Sequence, residues 1–288
     1  MKIKKLKEDQ LDYIGAICLD PSIGKEQIEA MQKAMVDRIN WIKRMMSKGL
    51  EVFIAVEKPK SEVIHYKWAG KMLHSDLALH GMVPMGLLES MPIEIALEPI
   101  EGKNSLFINC MWILPPFWLT GVGTALLESF INRAKEVGGA SVLTYEEDKW
   151  FGTSIKYMPS SFFKKFGFKE VDRDGSRILL YLNLNANIKP KLISFKQESF
   201  EENDEIRVDI FFNSQCPWSK FMVDLIKEKR NKYPEVTFKF INTDDRKIIE
   251  KFGISRGICI NGKPVIKRMA AWEEIESEIK KVKKYLNL

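Results

Sequence analysis

Long apolar runs are missing from the 288-residue sequence. No stretch approaches the roughly 18 uncharged apolar residues of a membrane-spanning helix. Met1-Lys2-Ile3-Lys4-Lys5 runs on into Glu8 and Asp9, where a secretory leader would place its apolar region. A cytoplasmic chain with no membrane partner is expected. Cysteine is scarce: Cys18, Cys110, Cys216 and Cys259 stand far apart, which excludes a disulfide scaffold and a paired metal-ligand spacing, so reduced thiols are expected. Histidine is scarcer still, and His65, His74 and His80 have spacings that share no helical face, so no metal site is expected. Internal repeats and low-complexity segments are absent.

What the sequence does have is an ordinary globular composition, 45% hydrophobic and 29% charged with 17 Gly and 12 Pro. Its length corresponds to about two domains. The net charge of +6 is concentrated at the far end, where residues 186–288 hold 21 Lys+Arg against 16 Asp+Glu. Lys280, Lys281, Lys283 and Lys284 contribute to it on a helical pattern whose other face carries Trp272, Ile275, Ile279, Val282 and Leu286. That arrangement is a solvated helix face, and no nucleic-acid partner is expected.

The first 185 residues alternate helical and extended patterns. A short strand at Ile3–Leu6 precedes a helical stretch at Gln10–Ile17, and over Lys25–Lys48 the residues Ile28, Met35, Ile39, Ile42 and Met46 recur along one helix face. Leu50–Glu57 and Leu106–Leu114 predict strands, Val122–Val137 a helix, and Ser141–Tyr145 and Ile178–Leu184 further strands. Residues 64–94 have no sustained period, and one strand is placed there, near Met85–Glu89. The polar stretch 186–205 predicts a linker. Beyond it the order is β-α-β-α-β-β-α over 206–288. The expected fold class is mixed α/β in two domains, 1–185 and 206–288.

Between the strand at Leu106 and the helix at Val122 lies Pro115-Pro116-Phe117-Trp118-Leu119-Thr120-Gly121-Val122-Gly123-Thr124. Glycines at 121 and 123 permit a tight turn and close backbone approach, so successive N–H groups and a helix start can converge on a pyrophosphate. By spacing alone an ordinary strand-to-helix turn is the commoner reading. The segment resembles the acetyl-CoA loop of the GNAT superfamily of N-acyltransferases, Gln/Arg-x-x-Gly-x-Gly/Ala, with Trp118 in the Gln/Arg position. Ser161-Phe162-Phe163-Lys164-Lys165-Phe166-Gly167-Phe168 resembles that superfamily's second recurring segment, a short aromatic helix ending in Gly-Phe. The resemblance covers about residues 1–185. It implies a mixed-sheet acyltransferase domain with acetyl-CoA as acyl donor, held by Leu119, Thr120, Gly121, Val122, Gly123 and Thr124. The backbone of Met111, Trp112 and Ile113 would receive the pantetheine arm, and Phe163 would line the thioester pocket.

Many GNAT enzymes have a tyrosine general acid where this sequence has Phe163, which cannot donate a proton. Transfer from a thioester to an amine depends more on positioning and a polarised carbonyl than on a single acid. The candidate bases are Glu94 and Glu146, with Glu89 as a further carboxylate and Tyr157 and Tyr145 as stand-in acids. For each, a structural or surface group is the commoner reading. The acceptor would be a small-molecule or peptide amine, whose identity the sequence leaves open, as it does the oligomeric state.

Ile206–Phe212 leads into Asn213-Ser214-Gln215-Cys216-Pro217-Trp218-Ser219 and then a helix. This resembles the thioredoxin superfamily, in which a strand delivers Cys-x-x-Cys or Cys-x-x-Ser to a helix start, where unpaired N–H groups favour a thiolate. Ser219 replaces the second cysteine, so no disulfide closes within the motif. The superfamily's proline before the third strand is absent from Gly253-Ile254-Ser255-Arg256-Gly257-Ile258. The expected thiol site is therefore Cys216 with Ser219, on a degenerate monothiol domain. A GNAT domain followed by such a domain resembles the YoaP-like acetyltransferases. The alternative is a monothiol redox protein or a thiol/CoA sensor without acetyl transfer.

Overall fold

A computed structural model describes residues 1–19, 25–59, 64–68, 71–75, 79–146, 157–186, 188–196 and 206–286. In chain order the elements are β1 (Lys2–Lys5), α1 (Asp12–Cys18), α2 (Lys25–Met46), β2 (Glu51–Glu57), β3 (Ile64–Trp68), β4 (Lys71–Ser75), β5 (Val83–Pro92), β6 (Ile100–Glu101), β7 (Leu106–Ile113) and α3 (Val122–Ala134). Then follow β8 (Gly139–Tyr145), α4 (Ser160–Lys164), β9 (Lys169–Asp174), β10 (Arg177–Asn183) and β11 (Lys191–Leu192). The last are β12 (Ile206–Phe212), α5 (Pro217–Lys229), β13 (Val236–Asn242), α6 (Arg246–Phe252), β14 (Gly257–Ile260), β15 (Lys263–Ile266) and α7 (Trp272–Leu286). The architecture is mixed α/β, and the larger sheet has the strand order β1-β2-β5-β7-β8-β10-β9. No helix among the described residues is long and apolar enough to cross a membrane.

The chain forms two compact units, the first made of Met1–Ile95, Gly102–Val142 and Tyr181–Lys189, the second of Ala96–Glu101, Leu143–Leu180 and Pro190–Leu288. In the first, β1 pairs antiparallel with β2, β2 with β5 and β5 with β7. Strand β5 is buried from Val83 to Met91, so it lacks the alternation of a half-exposed strand and reads as a continuous run. That is why only its middle, Met85–Glu89, is visible as a strand in the sequence. Helix α3 packs on β2, β5 and β7. It buries Val122, Leu126, Leu127, Phe130 and Ala134, one stripe at helical spacing. The β3–β4 hairpin, which the sequence did not predict, sets His65 opposite His74.

The second unit contains a four-stranded sheet of order β13-β12-β14-β15, with β13 parallel and β14 antiparallel to β12. Alternation along β12 divides two apolar clusters. Ile206, Val208 and Ile210 join Val223 and Ile226 of α5 and Trp272, Ile275 and Ile279 of α7. Phe211 joins Phe252, Ile254 and Cys259 in the other cluster. Burying each such side chain is worth about 1.5–3 kcal/mol. Within the stretch read as a linker, β11 pairs with β6, and Ile193 N–H bonds the Pro99 carbonyl.

Candidate functional site

Strand β7 ends at Ile113, and the chain turns through a 3-10 segment at Pro115–Phe117 before α3 begins. Two residues of this loop have left-handed backbone, Leu119 at φ +61° and Gly121 at φ +88°. Gly121 caps α3 without any side-chain cap bond. A Cβ built there meets nothing within 4 Å, so the glycine is required for its φ and not for space. Carbonyls in the first half of the loop are taken internally: Leu114 accepts from Phe117 N, Pro115 from Trp118 N, and Phe117 from the Thr120 hydroxyl at 2.7 Å. The backbone N–H groups of the second half, from Leu119 through Thr124, have no acceptor among the described residues. The first intrahelical bond is made only at Ala125, to Gly121. These donors lie on an exposed turn with two left-handed residues, running into the positive end of a 13-residue helix, an arrangement that favours negative charge.

Beside the loop, the parallel ladder of β7 to β8 covers only Leu106↔Ala140 to Ile108↔Val142. From Cys110 to Ile113 the described ladders pair β7 with β5 alone, so Met111, Trp112 and Ile113 lie on a stretch of strand past the end of the β8 pairing. The β5–β7 register shifts between Glu89 and Ser90. There Asn109 Nδ2 reaches Glu89 Oε2 at 3.3 Å.

The three carboxylates are placed differently. Glu89 is 0% exposed and ion-paired with the equally buried Arg38 of α2, which occupies it as a structural partner. Glu94 is exposed and accepts the Asn104 N–H at 3.2 Å. Glu146, in the second unit, is exposed and 3.7 Å from Arg173. Phe163 is wholly buried in α4, its ring packed edge-on against Phe162 and Phe168 at 5.4 and 5.7 Å, a core position of the second unit. Tyr145 is buried, and burial drives its phenol well above the usual tyrosine range. Tyr157 is half-buried. His80 bonds Asp12 at 2.6 Å. Among the described residues no group of three or more His, Cys, Asp or Glu is placed to hold a metal ion.

In the second unit Cys216 is the half-buried N-cap of α5, followed by Pro217 at the first helical position. Ser219 is fully buried, and its hydroxyl accepts the Asn213 N–H at 3.2 Å while its own N–H bonds the Cys216 carbonyl. The residue in the second-cysteine position is thus a loop tie. Asp244 grips Ser214 through both N–H and hydroxyl at 2.7 Å. Arg256, 2% exposed, donates to the side chains of Asn213 and Gln215 at 3.1 and 3.2 Å and is ion-paired with Glu98. Ser255 Oγ holds the other oxygen of Glu98 at 2.6 Å.

No protein-family model matches the chain. It is 22% identical over 222 residues, 76% of its own length and 76% of the relative's, to YoaP, an uncharacterised N-acetyltransferase of Bacillus subtilis strain 168. Among solved structures it is similar to the PaiA N-acetyltransferase of Thermoplasma acidophilum in complex with coenzyme A, with a TM-score of 0.39 and 15% identity, covering 63% of this chain and 98% of that one. It is also similar to a GNAT-family acetyltransferase of Staphylococcus aureus Mu50, with a TM-score of 0.39 and 14% identity over 64% of this chain and 99% of that one.

Two buried constellations escaped the sequence reading. For Arg38–Glu89–Asn109 a signal existed: Glu89 is the one charge inside an apolar run, which demands a buried cation. For Glu98 and Arg256 none did, because the two are brought together across most of the chain. Cys18 and Cys259 are poorly placed for chemistry. Burial raises Cys18 despite the nearby Arg38 cation, and burial, then Asp209, pushes Cys259 up to about 12.

Proposed function

We propose that the chain is an acetyl-CoA-dependent N-acyltransferase of the GNAT type, acting on a small-molecule or peptide amine. The observation that carries this reading is the open row of N–H groups from Leu119 to Thr124 at the head of α3. A pyrophosphate needs such donors, and the carbonyls of Leu114, Pro115, Phe117 and Gly121 are turned to donors within the loop and helix start. The 22% identity to a protein named as an N-acetyltransferase supports the same reading. Leu119, Thr120, Gly121, Val122, Gly123 and Thr124 are assigned to the pyrophosphate, and the backbone of Met111, Trp112 and Ile113 to the pantetheine arm.

The donor supplies an activated thioester. The acceptor nitrogen forms a C–N bond to the acetyl carbon, the C–S bond breaks, and the sulfur leaves as a thiolate that takes up a proton. The proton lost by the amine is assigned to Glu94, directly or through water. We assign residues 1–185 to the acyltransferase domain, 186–205 to a connection and 206–288 to a thioredoxin-like accessory domain. The parallel β12–β13 pair, the antiparallel β14 and β15 and the Cys216-Pro217 helix start support the last assignment. Ser219, as a loop tie, restricts that domain to monothiol chemistry or binding.

The test is incubation of the purified chain with acetyl-CoA and a panel of amines, recording CoA release and acetylated product by mass spectrometry. Amine-dependent release supports the transferase. Tight CoA binding with no release for any amine gives the sensor reading its place, and absence of binding removes both.

A further inference from the structure

The loop that presents the N–H row contains a conformation that should not persist unaided. Leu119 is 106% exposed and sits at φ +61°. Left-handed backbone is unfavourable for a residue with a Cβ, and a side chain wholly in solvent packs on nothing that would hold it there. Something adjacent must hold the backbone. The neighbouring side chain does so: Trp118 Nε1 donates to the Ile113 carbonyl at 2.7 Å. Of the ties described above, those to Leu114, Pro115 and Phe117 close local turns of three residues. The indole bond spans five residues and fastens the loop to the end of strand β7. The Trp118 ring also meets Trp112 edge-on at 6.2 Å and 89°, which fixes the indole's direction.

We infer that Trp118 is a positioning residue for the acyl donor: its indole N–H, bonded to Ile113, holds Leu119 left-handed so that the N–H groups after it stay open to the pyrophosphate. The inference rests on the donor-loop reading above and adds a residue to it. It also gives a physical role to the position where the sequence departs from Gln/Arg-x-x-Gly-x-Gly/Ala. A hydrogen-bond donor is retained there, on a rigid ring, and is spent on the loop's own backbone. For the strand this means that the Ile113 carbonyl already accepts the indole N–H, and since Trp112 stands in a hydrogen-bonded pair with Leu87 of β5, the pantetheine arm is left with the groups of Met111.

The experiment compares wild type, Trp118→Phe and Trp118→Gln. Phenylalanine keeps an aromatic edge and removes the donor, and glutamine removes the ring and keeps a donor. The measurements are acetyl-CoA titration by calorimetry, KM and kcat with an accepted amine, thermal melting, and the NMR coupling that reports φ at Leu119. Losing one such bond predicts Kd and KM for acetyl-CoA raised about five- to tenfold in Trp118→Phe, with kcat within twofold. The left-handed coupling at Leu119 is lost in that variant, and Trp118→Gln recovers affinity to within about threefold. Trp118→Phe with wild-type affinity, or with Leu119 still left-handed, overturns the inference. So does a folded Trp118→Gln that recovers nothing. A wild-type chain that binds no acetyl-CoA overturns the functional reading instead, and the coupling at Leu119 then still decides whether Trp118 holds the loop.

Discussion

Replacing Gly121 with alanine separates backbone conformation from steric blockage. Gly121 has φ +88°, and a Cβ there finds no protein atom within 4 Å, so alanine clashes with nothing. The cost that remains is the left-handed penalty of about 1–2 kcal/mol. At roughly 2–4 °C per kcal/mol for a domain of this size, the melting temperature should fall by about 2–8 °C if the loop keeps its shape. If the loop relaxes to escape the strain, the melting temperature hardly moves and the donor row breaks. A backbone N–H to a charged phosphate oxygen is worth about 1.5–3 kcal/mol, so each lost bond raises Kd for acetyl-CoA by roughly ten- to a hundredfold. Either branch leaves a signature in calorimetry and melting measured together. Gly121→Asn is the control, because asparagine tolerates left-handed backbone, and it should bind several times more tightly than Gly121→Ala. The reasoning is refuted if Gly121→Ala binds acetyl-CoA within twofold of wild type at an unchanged melting temperature, or if Asn and Ala are equally impaired.

Arg38→Met leaves the Glu89 carboxylate buried without its cation and should cost about 3–5 kcal/mol in denaturant unfolding, while the double variant with Glu89→Leu recovers most of that. Asp174, pushed up by burial but held below the usual carboxylate range overall by bonds from Lys267 and Arg177, contributes stability that is complete above its unfolded value. That contribution is lost as pH falls through the lower folded value, so Asp174→Asn should be less stable at pH 7 and should flatten the acid limb of the stability profile below about pH 4. Alkylation at pH 8 followed by peptide mapping should label Cys216 first and Cys259 last. Because Cys259 is raised to about 12, its contribution to stability is full below the unfolded thiol value and drains away as pH climbs toward 12, which a Cys259→Ala variant should show as a shallower alkaline decline.

The elements were readable where a single period governs them. Helix α2 shows its stripe in the sequence from Ile28 to Met46, and β12, with Ile206, Val208 and Ile210 on one face and Phe211 on the other, alternates as a strand packed between two helical layers must. Readability failed where burial is two-sided or the element is too short to carry a period. Strand β5 is buried on both faces, and β6 and β11 are two residues each, held by pairing across the chain and not by any local preference. The short α4 was visible only through its aromatics. Those same aromatics conceal the role of Phe163, since a core ring and a pocket ring have the same composition.

The donor loop was readable in its glycine and unreadable in its tether, and the difference is physical. A left-handed glycine is a backbone requirement that the residue type itself announces, as Gly121 does before Val122 and Gly123. A hydrogen bond from a side chain to a carbonyl five residues back announces nothing, because tryptophan is equally at home as core. The thiol loop repeats the contrast. Cys216 before Pro217 marks a helix start by residue type, whereas the side chains around it are fixed by Arg256 with Glu98, partners that only the tertiary fold brings together. Removing Glu98 would leave without its counter-charge the buried guanidinium that bonds Asn213 and Gln215 of the cysteine loop. The geometry of that loop is therefore set by a carboxylate far away in sequence, and variants at Glu98 belong with those at Cys216 in any measurement of thiol reactivity.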